Sequence, residues 1–87
     1  MMARRLVDDS MMPGGAADLA EAQRLITARG GEALLTTRQV SALLNRSVAT
    51  VRDWRTRRSG PRYTRRGGVL YKWSDVETWL ASGEVAA

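Results

Sequence analysis

The chain has 87 residues and a mass of 9.6 kDa, enough for one small core, because a chain of this size buries only about 60–65 % of its unfolded surface. Its 14 Lys+Arg against 9 Asp+Glu give a net charge of +5, and without histidine that balance holds through the physiological pH range. Lacking histidine and cysteine, the sequence excludes disulfides, thiolate nucleophiles, imidazole acid–base chemistry and Cys/His zinc sites. No carboxylates stand in a metal-loop spacing, and no nucleophile or acid–base pair stands out, so no metal, no cofactor, no small-molecule ligand and no enzymatic activity is expected.

Met1–Asp9 carries basic residues without a following apolar stretch of signal-peptide length, and nothing later approaches 18 apolar residues. A soluble, intracellular protein with no membrane partner is the expectation. Met11-Met12-Pro13-Gly14-Gly15 reads as a flexible break with a frayed segment before it. Asp18 with Glu21 signals a helix start, and Leu19, Ala22, Leu25 and Ile26 follow at helical spacing until Gly30-Gly31. This thin stripe over about 18–29 leaves three options open: docking on the main domain, meeting a second copy, or marginal stability.

From Leu34 the signals become dense. Thr36 with Gln39 forms a capping box, and Leu35 can staple onto Val40. Val40, Leu43 and Leu44 share one face of a helix over about 37–44, which Asn45 stops in the left-handed conformation. Ser47 then caps a second helix over about 48–57, with Val51 and Trp54 inward. Two short helices joined by so tight a turn cross at a large angle. Gly60-Pro61 ends the second helix. Arg62–Thr64 and Val69–Trp73 flank Arg65-Arg66-Gly67-Gly68 as a hairpin with a basic, glycine-rich tip. Ser74 with Glu77 caps a last helix over about 75–82, with Val76, Trp79 and Leu80 inward and Gly83 as its stop. The predicted organisation is an N-terminal segment 1–33, a domain over 34–83 and a short tail 84–87.

Charge is uneven along this order. Residues 1–45 carry five basic and five acidic side chains, residues 73–87 three acidic ones, and residues 46–72 nine basic side chains, eight of them Arg, against Asp53 alone. Eight excess charges within 27 residues repel one another, which favours a polyanion footprint over a merely solvated face. All five aromatics, Trp54, Tyr63, Tyr71, Trp73 and Trp79, fall in the C-terminal part. They read as core material rather than as platforms for single-stranded nucleic acid.

A helix–tight turn–helix unit presents the first half of its second helix as a rod that fits the major groove of B-DNA, about 12 Å wide. With Val51 and Trp54 inward, helical phase turns Val48, Ala49, Arg52 and Arg55 outward to varying degrees. Arg52 is the leading base reader, with guanine O6/N7 as its target, and Val48 or Ala49 can meet a thymine methyl. Ser47 is a cap before it is a contact, although free N–H groups at that end can receive a phosphate. Thr50 suits a phosphate or a cap equally. Arg55, Arg57 and Arg58 suit phosphates near the helix end, Thr37 and Arg38 phosphates at the first helix, and Arg65 and Arg66 the adjacent minor groove. With about six arginines on phosphates, affinity falls with a log–log salt slope of roughly −5.

Leu35–Leu80, about half of the chain, resembles the small winged helix-turn-helix family of phage excisionases and the related AlpA and MerR-type heads. The stretch Arg46-Ser47-Val48-Ala49-Thr50-Val51-Arg52-Asp53-Trp54 is similar to the Arg-Ser-x-x-Thr-Val-Arg-x-Trp segment of lambda-type excisionases. A Gly60-Pro61 break, a basic wing, Tyr71 in the returning strand and a closing helix follow as in that family. The implied fold is mainly α with a β-hairpin wing. The implied role is a recombination directionality factor in the cytoplasm of a host bacterium. Such a protein binds adjacent sites in double-stranded phage attachment DNA, cooperatively and head to tail, bends that DNA and helps a tyrosine integrase excise the prophage. By position, Arg46, Arg52 and their neighbours enter the major groove, and Arg65 and Arg66 form the wing.

Two departures separate this chain from lambda-type relatives. They tend to carry a charged residue at the position of Ala49 and an arginine at that of Asp53, so a different base sequence is read here. They also tend to end in a basic tail, in place of Gly83–Ala87. The alternative role is an AlpA-like transcription regulator. A MerR-type regulator needs a long dimerising helix, for which the seven residues after Leu80 leave no room. A protein-interaction module that places the basic face on an acidic partner is the reading from a different class.

Overall fold

The computed structural model describes residues 11–82. Residues 1–10, the helix stop assigned to Gly83 and the tail 84–87 lie outside the described residues. Four helices surround a small sheet: α1 (Ala16–Arg29), α2 (Thr37–Leu44), α3 (Val48–Arg57) and α4 (Trp73–Ala81), with strands β1 (Leu34–Thr36), β2 (Thr64–Arg65) and β3 (Val69–Lys72). The sheet is antiparallel in the order β1-β3-β2, with Leu35 opposite Tyr71 and Thr64 opposite Leu70. This is the expected mainly helical domain with a hairpin wing, and β1 widens the hairpin to three strands. Among the described residues no helix is long and apolar enough to cross a membrane.

Local chemistry sets the helix–turn–helix boundaries. Thr36 Oγ1 accepts from the Gln39 N–H at 3.1 Å, and Gln39 Oε1 accepts from the Thr36 N–H at 2.9 Å. Two first-turn amides are thereby satisfied reciprocally, while Leu35 and Val40 both vanish into the core. Asn45 takes φ 55° and ψ 45°, and the Arg46 N–H reaches back to the Ser41 carbonyl at 3.0 Å. Ser47 Oγ then accepts from the Thr50 N–H at 3.0 Å and opens α3.

α3 repeats the left-handed ending, but with Arg58 at φ 57°. The Arg58 and Ser59 amides donate to the carbonyls of Arg55 and Trp54 at 3.1 and 2.9 Å. This closes the helix and turns the chain into Gly60-Pro61.

The core lies where α2, α3, α4 and the sheet meet. Trp54 and Trp79 pack with ring centroids 4.7 Å apart, and the Trp79 indole N–H donates to the Ser59 carbonyl at 2.9 Å, so its polar end is satisfied inside. Tyr71 is buried with them and Trp73 packs against the cluster. Of the five aromatics only Tyr63, 37 % exposed, stands on the surface, so the core assignment holds for four. Leu80, expected inward, is exposed, because the inward face of α4 is filled by Val76 and Trp79.

Two predicted helix starts move, one through a local contact and one through a long-range contact. α1 begins at Ala16, and Asp18 sits in its first turn rather than before it, its carboxylate accepting from the Gly15 N–H at 3.0 Å. α4 begins at Trp73, before Ser74, with no side-chain cap, since the Trp73 N–H donates to the Ala33 carbonyl at 2.9 Å and a neighbouring strand end replaces the cap. α1 docks on α2: Ala22 is buried, Leu25 and Ile26 pack on the core, and Asp18 pairs with Arg38 at 3.3 Å. Met11–Gly15, read as a break, is tied down as well. The Val48 N–H donates to the Met12 carbonyl at 3.1 Å, and the Gly14 N–H donates to the buried Ser41 Oγ at 2.8 Å.

Two substitutions test these ties. A Cβ on Gly14 would lie 2.3 Å from the Arg38 carbonyl oxygen, so Gly14→Ala is expected to lower stability by about 1–3 kcal/mol in urea unfolding. An unchanged midpoint would show that the segment does not dock there. Arg55 Nη1 donates to both Thr37 Oγ1 and Tyr71 Oη at 3.0 Å, joining α3 to α2 and β3. Arg55→Met keeps the aliphatic stem but removes both bonds, and a loss of about 1.5–3 kcal/mol is expected. A variant as stable as the parent would deny the side chain its bracing role.

Candidate nucleic-acid interface

α3 is rotated by the residues it buries. Val48, Val51 and Trp54 are 1, 0 and 7 % exposed, which places Ala49, Arg52, Asp53 and Thr56 on the opposite side at helical spacing. Arg52, Asp53 and Thr56 are exposed there and Ala49 is half-buried. Val48 is therefore a correction: the outward turn expected for it is ruled out by its burial, and Ala49 alone remains as the small apolar group near the helix start. Asp53 and Thr56 were not singled out as site residues, although the same phase count finds them once Val48 is assigned inward. Asp53 pairs with Arg57 at 3.0 Å across one turn, a solvent-screened contact of about 0–1 kcal/mol.

The first turn of α3 is partly committed. The Met12 carbonyl takes the Val48 N–H and Ser47 Oγ takes that of Thr50, while Ser47 Oγ and Thr50 Oγ1 share a 2.8 Å hydrogen bond. Ser47 is thus a cap, and Thr50 is engaged with that cap. An incoming anion finds the Ala49 amide, not a full set of free donors.

The remaining predicted residues divide into braces and open cations. Arg55, expected at a phosphate, is half-buried and spends its guanidinium on Thr37 and Tyr71, so Thr37 is also occupied. Arg38 is exposed but paired with Asp18 of α1, and Arg57 with Asp53. Arg46, Arg52, Arg58, Arg65 and Arg66 are exposed and, among the described residues, have no acidic partner. Arg62, absent from the predicted set, shares both properties.

The wing is held against α3 through one ring. Arg65 opposite Val69 is the last pair of the ladder, so the turn is Arg66-Gly67-Gly68, with φ of 71° and 136° at the two glycines, values open to glycine and strained for other residues. The Arg65 guanidinium carbon lies 5.6 Å from the Tyr63 ring centroid and that of Arg55 lies 5.8 Å from it, while the Tyr63 and Tyr71 rings are 6.0 Å apart. One aromatic surface thereby links the basic strand to the second half of α3. No group of His, Cys, Asp or Glu among the described residues could hold a metal ion.

A helix-turn-helix domain model matches residues 34–84, the stretch that contains β1, both crossed helices, the wing and α4. Comparison with curated proteins and with solved structures returns no match. The family match covers more than half of the 87 residues and coincides with the helix–turn–helix geometry. The chain belongs to the helix-turn-helix domain family, typically non-enzymatic proteins, and double-stranded DNA is the partner this family implies.

Proposed function

We propose that the chain is a sequence-specific duplex DNA-binding protein that acts as a phage excisionase. The observation that carries the DNA reading is the run of exposed arginines before α3, on it, at its end and on the wing, where Arg46, Arg52, Arg58, Arg65 and Arg66 have no acidic partners among the described residues. α3 enters the major groove with Ala49 toward a thymine methyl and Arg52 toward guanine O6/N7. Asp53 offers an acceptor that suits the cytosine amino group. Arg65 and Arg66 follow the strand into the minor groove, and the glycine turn lets the backbone approach closely. In this role the action is positional: binding, orienting and bending DNA.

The excisionase role rests on the Arg46–Trp54 segment and the wing that follows it. A single recognition helix covers only a few base pairs, so copies arranged head to tail along adjacent sites supply the affinity that one copy lacks. In this role the protein works in the bacterial cytoplasm beside a tyrosine integrase. An AlpA-like regulator would use the same helix and wing on a promoter. Excisive recombination with the cognate integrase separates the two: stimulation of excision supports this assignment, and promoter control with no effect on excision rejects it.

For DNA recognition itself, enrichment from a random duplex library followed by titration at several salt concentrations is the test. A defined sequence is expected, with a log–log salt slope of roughly −5. Arg52→Ala is expected to weaken that site by about 1–3 kcal/mol and to relax its sequence preference without changing stability. Binding that ignores duplex DNA and survives high salt would instead favour an acidic protein partner.

A further inference from the structure

The cleft between the end of α3 and the start of the wing holds side chains that the base-reading face does not use. Its floor is Trp54, Gly60 and the buried Pro61. A Cβ on Gly60 would lie 2.8 Å from the Trp54 Cβ, so the backbone at this break is pressed against the core. Arg55, Arg58, Arg62 and Tyr63 stand around that floor, and no carboxylate lines the cleft. Arg55 is already bonded to Thr37 and Tyr71. Arg58 and Arg62 are exposed and have no acidic partner among the described residues. Arg58 also occupies a left-handed conformation in which glycine would be less strained.

We propose that this cleft seats one phosphate of the DNA strand that passes between α3 and the wing. Arg58 and Arg62 hold its non-bridging oxygens, the Tyr63 hydroxyl adds a third hydrogen bond, and the braced Arg55 contributes charge from behind. Three guanidiniums facing one acid-free cleft repel one another until an anion enters, and guanidinium forks match phosphate oxygens. A phosphodiester is the anion that the neighbouring base-reading helix delivers to this position. The seat rests on the DNA-binding reading and adds Arg62 and Tyr63 to it. It gives the wing and α3 a common anchor, which fixes the rotation of α3 in the groove.

The test uses the full chain and the duplex selected by it, titrated at several salt concentrations. Arg62→Ala is expected to lower affinity roughly three- to tenfold on every duplex alike and to reduce the magnitude of the salt slope by about 1. Tyr63→Phe is expected to weaken binding with the slope unchanged, because no charge is removed. Arg58→Gly relieves the left-handed strain, so it is expected to fold at least as well as the parent while losing affinity and about one unit of slope. A methylphosphonate walk along the duplex should find one neutral linkage at which Arg62→Ala makes no further difference.

Wild-type affinity and slope in both Arg62→Ala and Arg58→Gly, with Arg52→Ala still impaired, would overturn the seat and leave the DNA reading intact. No duplex binding by the wild-type chain would overturn both. Saturable binding of inorganic phosphate that Arg62→Ala abolishes, with duplex binding unaffected by that change, would assign the cleft to a free anion and overturn the seat while leaving the DNA reading intact.

Discussion

Val48, Val51 and Trp54 go inward, and in doing so they fix the rotation of α3. A domain this small has no second layer with which to position a recognition surface, so one face of the helix must serve the core while the other meets the partner. Trp54 sits closest to both tasks. It packs on Trp79, lies under the Gly60 backbone and belongs to the turn that ends in Arg58. Replacing its bulk would remove core packing and also let the axis of α3 roll, which would turn Ala49, Arg52 and Asp53 away from the direction they now share.

The cost of gathering so many cations is offset in particular ways. Arg57 is neutralised by Asp53, Arg38 by Asp18 and Arg24 by Glu21, all outside the cleft. Arg55 is turned into a brace whose charge is shared between two hydroxyls. Arg65 lies over an aromatic ring, a contact that tolerates a cation at low desolvation cost. Within residues 46–72, the exposed arginines that have no acidic partner among the described residues lie before α3, on its outer side, at its end and on the wing. These are the positions from which a duplex backbone and its grooves can be met.

Elements written in short-range chemistry were legible in the sequence. Thr36, Gln39, Asn45 and Ser47 act within four residues of themselves, so α2 and α3 begin and end where these residues place them. Most departures arise where a distant group does the work. The Trp73 N–H finds the Ala33 carbonyl, which starts α4 ahead of Ser74. Leu34–Thr36 becomes a strand only because Leu70–Lys72 lies beside it, and three residues carry too little periodicity to announce that. The same holds in the candidate interface. The exposure of Arg52 followed from phase, whereas the tie of the Val48 N–H to the Met12 carbonyl and the capture of Arg55 by Tyr71 depend on segments 36 and 16 residues away.

Amide chemical-shift mapping by NMR, as a selected duplex is added to the full chain, addresses the surface as a whole. Perturbations concentrated on Ala49–Thr56 and on Arg62–Gly68, with the outer side of α1 and the exposed side of α4 unchanged, are the predicted result. Shifts centred on α1 or α4, with the amides of Arg52 and Arg65 still at their free positions under saturating DNA, would contradict the assignment of α3 and the wing as the duplex-binding face.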